Sequence, residues 1–243
     1  TLDEGGLITS DTPIVNGPAM MIGVAEKGYM TLRVIAPVVG GHSSMPLAEI
    51  GSVNLAKAIV AINDNQFPME LRGPAASMLD VLAMKAGGMT KVAAANKWLL
   101  GGTIKSQMAK SPSSAALLHT TIAPTMLEGS PKENVLPQSA NALVNYRIAP
   151  WDNSKLVLER ARAVTANLGV KVDYTERAPR EPTPVSSATS LGWQLIVASA
   201  EAGHPGVIAS PYLVVGGTDS RSMTPISDDV YRFAAISLAD RKS

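Results

Sequence analysis

Two stretches of alternating apolar and polar residues constrain the fold of this chain more than any other feature of its sequence. Every second side chain is apolar in residues 29–36 and again in residues 141–148: Met30, Leu32, Val34 and Ala36 in the first, and Ala142, Val144, Tyr146 and Ile148 in the second. A period of two with one apolar face is typical of a half-buried strand. Pro37 cannot donate a ladder hydrogen bond, so we expect the first strand to end beside it.

The order of the surrounding patterns predicts how these strands are connected. Residues 55–62 and 157–168 carry apolar side chains at helical spacing, and residues 118–129 and 170–175 are typical of strands. The order is then strand, helix, strand, strand, helix, strand. It predicts an α+β, ferredoxin-like (βαββαβ) fold, in which a four-stranded antiparallel sheet carries two helices on one face.

The remaining segments predict a helical insert and a second domain. Residues 74–116 are rich in Ala and Met and are interrupted by two Gly pairs, so we expect two or three short helices there. Residues 1–22 and 181–243 are each short for an independent domain. We therefore expect a domain at residues 23–180 that contains the insert and lies between two pieces of a second domain.

Composition narrows the possible functions. The formal net charge is +1, which gives the chain as a whole no electrostatic attraction to nucleic acid or to an anionic membrane. No apolar run is long enough to span a bilayer. The absence of cysteine excludes disulfides, thiolate zinc sites and a thiol nucleophile. The chain has no initiator Met, so we expect a piece of a longer protein, and its compartment is left open.

The three histidines are far apart in the sequence, and none lies in a metal-binding motif. His119 falls within a predicted strand and His204 at the end of a predicted helix, and both are expected to be structural. His42 follows two glycines, which permit unusual backbone angles, and precedes Ser43 and Ser44, either of which can cap the next helix. On these residues alone, His42 is either a loop residue beside a helix cap or a presented functional group.

Two polar motifs each have a structural and a functional interpretation. Asp3 and Glu4 precede a Gly pair, and they either form a polar turn or offer a carboxylate to a metal ion. In the sequence GGTDSR, either Asp219 caps a helix beside a solvated Arg221, or the Arg221 guanidinium binds a substrate carboxylate. The sequence contains neither a G-x-S-x-G nucleophile motif nor a phosphate-binding loop.

Five motifs in a fixed order give the chain a family resemblance. They are LDEGG (2–6), EKGYMTLRV (26–34), GGHSSMP (40–46), ENVLPQSANALVNYRI (133–148) and GGTDSR (216–221). Together they resemble the carboxypeptidase S and aminoacylase family of two-zinc metallopeptidases, and in particular the branch of Gly-X carboxypeptidase and N-acyl-amino-acid hydrolases. The resemblance implies that the unit at 23–180 is a dimerisation domain. It also implies that the flanking segments are pieces of an α/β zinc-peptidase catalytic domain, the second of them truncated.

The resemblance also implies roles for single residues. Asp3, or else Glu4, is expected to bind zinc, of which the family holds two ions in each active site. His42 is expected to reach the active site of the other subunit of a homodimer and to stabilise the oxyanion that forms as water attacks an amide carbonyl. The residues expected to contact the substrate are Asn134, Arg147 and Arg221.

The same resemblance implies that the chain is incomplete as an enzyme. The family's upstream H-x-D motif, bridging Asp, Glu pair and final His are absent from it, and a lone carboxylate cannot hold two zinc ions. We expect a whole protein that cleaves the amide next to a C-terminal amino acid, as a carboxypeptidase or an N-acyl-amino-acid hydrolase. We expect this chain alone to be inactive and to mediate dimerisation. The alternatives are a non-catalytic dimerisation module and a domain that binds small carboxylates.

Overall fold

A computed structural model describes residues 1–11 and 15–238 of the chain, which form two compact units. The described strands are β1 (Leu2–Asp3), β2 (Ile8–Asp11), β3 (Asn16–Glu26), β4 (Gly28–Pro37), β5 (Gly41–His42), β6 (Thr121–Glu128), β7 (Val135–Leu136), β8 (Ser139–Ile148), β9 (Lys171–Tyr174), β10 (Ile208–Val214), β11 (Tyr231–Arg232) and β12 (Ser237–Leu238). The described helices are α1 (Gly51–Asp64), α2 (Gly73–Ala86), α3 (Gly88–Ala95), α4 (Lys97–Met108), α5 (Pro112–Ala115), α6 (Ser154–Thr165) and α7 (Leu191–Gly203), and a 3-10 helix covers Asp219–Met223.

The second unit, residues 28–67 and 120–181, has the ferredoxin-like architecture. Its sheet is antiparallel with the strand order β6-β8-β4-β9. β4 and β8 pair along their whole length, from Gly28 opposite Ile148 to Pro37 opposite Ser139. The α+β, βαββαβ prediction is therefore confirmed.

The alternation in the sequence is the burial pattern of this sheet. All eight apolar residues named for the two alternating strands are buried in one core. Helices α1 and α6 cover that face of the sheet, because their buried residues belong to the same core: Leu55, Ala58 and Ile62 of α1, and Val157, Leu158 and Ala161 of α6. The period-two pattern thus decides which face of the sheet receives the helices.

The two helices of this unit begin differently. The Asn153 side chain accepts a hydrogen bond from the Leu156 N–H at 2.9 Å, so Asn153 is the N-cap of α6. α1 begins only at Gly51 and has no side-chain cap. The prediction that Ser43 or Ser44 caps this helix is therefore wrong.

The first unit contains residues 1–27 and 68–119 and the chain from 182 onwards. It is built on a six-stranded mixed sheet, in which β3 pairs with β10 in parallel and with β2 and β11 in antiparallel fashion. α7 packs on this sheet through Trp193, which shares a core with Met20 and Ile22. Among the described helices of either unit, none is both long and apolar enough to cross a bilayer.

The segment expected to be a helical insert forms the four helices α2 to α5. They group with the first unit, whereas we expected the insert to lie within the domain at 23–180. The reason lies in packing, since Met78 and Leu82 of α2 share a core with Ala25 of β3 and Leu213 of β10.

Gly51 and Gly102 provide a matched test of helix packing. A Cβ at Gly51 would lie 2.6 Å from Cγ2 of Val38 and 3.1 Å from the Ala36 carbonyl oxygen, whereas one at Gly102 in α4 would have no atom within 4 Å. We expect Gly51→Ala to lower the free energy of unfolding by about 1–3 kcal/mol through overpacking. We expect Gly102→Ala to raise it by roughly 0.5–1 kcal/mol through helix propensity. Urea unfolding measures the free energy of unfolding of both variants. Equal changes in the two would contradict the close contact at Gly51.

Candidate functional site

His42 lies on a short strand that joins two of the sequence motifs. β5 pairs with β7, which places His42 opposite Val135. The Ser43 N–H donates to the Asn134 carbonyl oxygen at 3.1 Å. The GGHSS and ENVLP motifs, which are far apart in the sequence, therefore meet. His42 and Asn134 are neighbours there, and both residues are exposed.

The hydrogen bonds of His42 determine its tautomer. The Ser44 N–H donates to Nδ1 at 3.2 Å, and the Ser44 hydroxyl oxygen lies 2.8 Å from the same nitrogen. A backbone N–H can only donate, so Nδ1 is an acceptor and the ring proton is on Nε2. Within the part of the chain that the structure describes, no hydrogen bond is made by Nε2. His42 thus presents an exposed N–H donor, and Ser44 orients the ring.

Gly40 is explained by space and not by backbone angle, whereas a Cβ at Gly41 would meet Leu136 Cδ1 at an ordinary 3.8 Å. Neither has a positive φ, so the prediction of unusual backbone angles there is wrong. A Cβ at Gly40 would lie 2.8 Å from Cγ of Gln138 and 3.1 Å from the Leu136 carbonyl oxygen. An open groove of about 520 Å³ lies beside this turn and is lined by both motif segments.

Arg147 lies away from the β5–β7 pair. In the β4–β8 ladder Arg147 is opposite Tyr29, near the C-terminal end of β8. The N-terminal end of β8, which directly follows β7, begins at Ser139, opposite Pro37. At about 3.4 Å per residue, Arg147 is separated from Ser139 by about 27 Å along the strand. The guanidinium of Arg147 lies 4.8 Å from the centre of the Tyr29 ring, and that of Arg177 lies 4.9 Å from the same centre. The structure therefore does not bring Arg147 to His42 and Asn134.

The other two motifs meet in the first unit. Oδ2 of Asp3 accepts a hydrogen bond from the Ser220 N–H at 2.7 Å, and Oδ1 accepts one from the Glu4 N–H at 2.9 Å. The hydrogen bond from Glu4 is the main cause that holds the pKa of Asp3 below its usual range; burial opposes this shift, and the Ser220 N–H adds to it. LDEGG and GGTDSR, from opposite ends of the chain, are thus brought together.

A buried carboxylate underlies the GGTDSR turn. Glu26 has no exposed surface, and its Oε1 accepts hydrogen bonds from Arg232 Nε (3.0 Å), the Ser220 hydroxyl (3.1 Å), the Thr218 N–H (3.2 Å) and the Thr218 hydroxyl. Its Oε2 lies 3.5 Å from Nε of Arg221, whose side chain is 17% exposed. Burial raises the pKa of Glu26, but the Thr218 hydroxyl and the Arg232 charge outweigh it and hold that pKa below its usual range.

The turn itself is capped by Thr218, not by Asp219. Thr218 is the N-cap of the 3-10 helix, and its side chain accepts from the Ser220 N–H. Neither Glu26 nor Arg232 was found by sequence reasoning. The available signal was weak: each is a charged residue within an apolar run, and such residues are seldom buried unless they are paired.

The other two histidines lie at helix ends. His119 is buried in a bend just before β6, and not within a strand as predicted. Its Nδ1 lies 3.0 Å from the Ala115 carbonyl oxygen at the end of α5, and burial lowers its pKa. His204 is the C-cap residue of α7 and its N–H donates to the Ala200 carbonyl oxygen at 2.8 Å. Neither contributes to a site.

The metal-ligating side chains in the described part of this chain do not form a complete zinc site. Within residues 1–11 and 15–238, no three His, Asp or Glu side chains lie close enough together to hold a metal ion. Zinc sites use three or four protein ligands. Asp3 offers one carboxylate, and its neighbour Glu4 is exposed.

Residues 24–173 match the family model of the M20 peptidase dimerisation domain. The chain belongs to the M20 peptidase family. This M20 chain is 35% identical over 239 residues to N-fatty-acyl-amino acid synthase/hydrolase PM20D1.1 of Danio rerio, and 29% identical over 239 residues to the probable carboxypeptidase S-like 2 of Dictyostelium discoideum. These matches cover 96% and 98% of the chain and 46% of each relative. The chain thus spans less than half the length of these relatives.

Solved structures agree with the fold of the M20 chain. The M20 family metallo-carboxypeptidase Sso-CP2 from Sulfolobus solfataricus matches with a TM-score of 0.58 and 16% identity, over 88% of this chain and 59% of that one. The di-peptidase Dug1p from Saccharomyces cerevisiae matches with a TM-score of 0.54 and 12% identity, over 88% of this chain and 48% of that one. The family resemblance inferred from the five motifs is therefore confirmed.

Glu26 and Arg232 provide a test of the buried cluster. Arg232→Met leaves the Glu26 carboxylate buried without its nearest charge partner, so we expect a loss of about 3–5 kcal/mol in the free energy of unfolding. We expect a similar loss for Glu26→Gln, which leaves the Arg232 charge buried. The double variant removes both charges, so its cost should be smaller than the sum by about 0.5–3 kcal/mol. Urea unfolding of the three variants measures this coupling.

A control and a pH series accompany this test. The exposed pair Lys155–Glu159 on α6, 3.9 Å apart, should show no measurable coupling in the same kind of cycle.

Folding lowers the pKa of Glu26, so its contribution to stability is complete above the pKa of an unfolded glutamate and is lost as the pH falls through the lower folded value. In the Glu26→Gln variant, the free energy of unfolding should therefore fall less than in the wild type as the pH is lowered. Additive losses and an unchanged acid response would contradict the cluster.

Proposed function

We propose that the whole protein containing this M20 chain is a metal-dependent hydrolase that cleaves the amide bond next to a C-terminal amino acid. Relatives named as a carboxypeptidase S-like protein and as an N-fatty-acyl-amino acid synthase/hydrolase support the two substrate classes, peptides and N-acyl-amino acids. The dimerisation domain at residues 23–180 and the catalytic segments at 1–22 and 181–243 are part of this proposal.

Zinc is the metal in this proposal, with two ions in each active site. Asp3 is the residue of this chain assigned to bind one of them, and Glu4 is the alternative. The remaining ligands are assigned to the part of the relatives' length that this chain does not span. When bound, the metal supplies the hydroxide nucleophile and polarises the carbonyl.

The exposed Nε2–H donor of His42 beside Asn134 is the observation that carries the proposal. Addition of water to an amide carbonyl places negative charge on the carbonyl oxygen. A fixed N–H donor stabilises that charge more in the transition state than in the ground state, and so raises turnover. Ser44 fixes the donor on Nε2, and Asn134 is assigned to hold the substrate at the same place.

Two arginines are proposed near the substrate carboxylate. The guanidinium of Arg221 has the planar shape that pairs with a carboxylate, and its side chain keeps partial exposure beside the buried Glu26. Arg147 is assigned the same role with less support, because it lies at the far end of β8 from His42 and its guanidinium contacts the Tyr29 ring.

An open sheet edge supports a homodimer, in which His42 acts on the other subunit. β6 is an eight-residue edge strand of the ferredoxin-like sheet, and in the described residues it pairs with β8 alone. Its Met126 and Leu127 are exposed, as are Val53 and Val60 of the adjacent helix α1. Long edge strands with apolar side chains pair readily with another chain. We assign this edge to a second copy of the protein.

A non-catalytic dimerisation module is the second candidate function. It is favoured by the incomplete set of metal donors in the described residues of this chain. An activity assay of the whole protein supplied with zinc distinguishes the two candidates. Under the first proposal it hydrolyses an N-acyl-amino acid or a dipeptide, and under the second it hydrolyses neither.

His42→Ala in the whole protein tests the oxyanion role. Loss of one preorganised donor lowers turnover by about 10²–10³-fold. We expect a fall of that size in kcat for an N-acyl-amino acid, with little change in KM. Ser44→Ala retains Nε2 but frees the ring, so we expect a smaller fall. His204→Ala, at the end of α7, is the matched control and should retain wild-type kcat. An unchanged kcat in His42→Ala would sink the assignment.

Leu127→Glu tests the dimer edge. A buried, unpaired carboxylate at a strand-to-strand contact is costly, so we expect the variant to be monomeric at concentrations where the wild type is a dimer. Light scattering after size-exclusion chromatography measures this. Leu191→Glu, an exposed leucine on α7, is the control and should remain dimeric. Under the proposal the monomeric variant also loses activity, whereas a fully active monomer would contradict action across the interface.

A further inference from the structure

Helices α3 and α4 expose large apolar side chains within a short stretch of chain. Trp98 is 83% exposed and Met89 is 79% exposed, and Val92 and Leu99 are at least half exposed. Single exposed apolar residues are common on protein surfaces, but a contiguous group marks an interaction site. The function proposed above assigns no role to this group, which we call the α3–α4 surface.

The members of the α3–α4 surface lie on the sides of their helices that face away from the packed core. Ala94 is the buried residue of α3 and packs with α2. At about 100° per residue, Met89 and Val92 lie about 140–160° around the helix from Ala94. α4 has no buried residue; its partly buried Ile104 packs against the small core that Ala94 shares with α2. Trp98 and Leu99 lie about 120° and 140° around α4 from Ile104.

The charge of this segment is strongly positive. Residues 73–115 contain five lysines and one acidic residue, a net charge of +4, whereas the rest of the chain carries 16 basic and 19 acidic residues, a net charge of −3. Asp80 pairs with Lys97 at 2.5 Å, so the segment has no acidic residue for its other four lysines: Lys85, Lys91, Lys105 and Lys110. The nearly balanced charge of the whole chain therefore conceals a basic segment around the α3–α4 surface.

We propose that the α3–α4 surface binds an anionic lipid surface. Apolar side chains, an exposed Trp and flanking lysines are the combination by which helices lie in the interface of an anionic bilayer. A second copy of this chain is a poorer fit, because a symmetric contact would place two surfaces of charge +4 against each other. The inference rests on exposure and charge, and it is independent of the hydrolase proposal.

Vesicle binding by the whole protein tests this inference. We expect co-sedimentation with vesicles of phosphatidylcholine and phosphatidylglycerol, and much weaker binding to vesicles of phosphatidylcholine alone. Each lysine near an anionic surface changes the partition coefficient about fivefold. We therefore expect Lys85→Glu with Lys91→Glu to lower it by at least about 25-fold. Added salt should weaken the binding of the wild type.

The matched control keeps the same change in net charge at another place. Lys155→Glu with Lys171→Glu, two exposed lysines of the second unit, should bind the vesicles nearly as well as the wild type. Equal loss in both double variants would overturn the inference, since it would show a general charge effect. Absence of binding to the anionic vesicles would also overturn it.

Trp fluorescence distinguishes a lipid from a protein occupant. Trp98→Phe retains an apolar side chain, so this variant should still bind while most of the vesicle-induced blue shift of the emission is lost. If Trp98 emission is already blue-shifted and protected from acrylamide without vesicles, another part of the protein or a second copy covers this surface, and the inference is overturned. Far-UV circular dichroism confirms that each variant is folded.

Discussion

The ten-residue ladder between β4 and β8 is the constraint on which the ferredoxin-like unit depends. Side chains alternate along it, so a slip of one residue would move the whole apolar set to the open face of the sheet. The ladder ends where Pro37 lies opposite Ser139, and one further hydrogen bond joins Val38 N–H to the Gln138 carbonyl at 3.1 Å. The β5–β7 pair follows directly. The register that fixes the core therefore also fixes His42 beside Asn134.

The parts of the fold that could be predicted are those that depend on local pattern. The alternation over residues 29–36 and 141–148 predicts two strands that are each buried on one face. The order of strands and helices then allows only a few ways of connecting them. The start of α1 was missed for a physical reason. Ser44 has the chemistry of a helix cap, but its hydroxyl and N–H are used on Nδ1 of His42, two residues earlier in the chain. A competing local contact thus replaces the cap, and the β5–β7 pair, whose strands are far apart in the sequence, holds Gly41 and His42 in a strand.

The candidate site in the first unit was harder to predict, because its contacts join the two ends of the chain. Asp3 meets the GGTDSR turn through Ser220, and Glu26 meets it through Thr218. The glycines of LDEGG also have a structural use, since a Cβ at Gly6 would lie 1.9 Å from the Met21 carbonyl oxygen. The buried carboxylate has only a weak short-range signal, a charged residue within an apolar run, and the close approach at Gly6 has none. The family resemblance identified the motifs, but it could not indicate what holds them.

The exposure of His42 bears on where the donor can act. A hydrogen bond to a developing oxyanion is worth most where water is excluded and the donor is already oriented. Ser44 supplies the orientation, but His42 is exposed, and water competes for its Nε2–H in the isolated chain. Under the proposed function, the donor would become effective when another surface covers it. Under the proposed function, an exposed and oriented imidazole on a short strand is therefore better suited to completing a site on a second subunit than to forming one within its own unit.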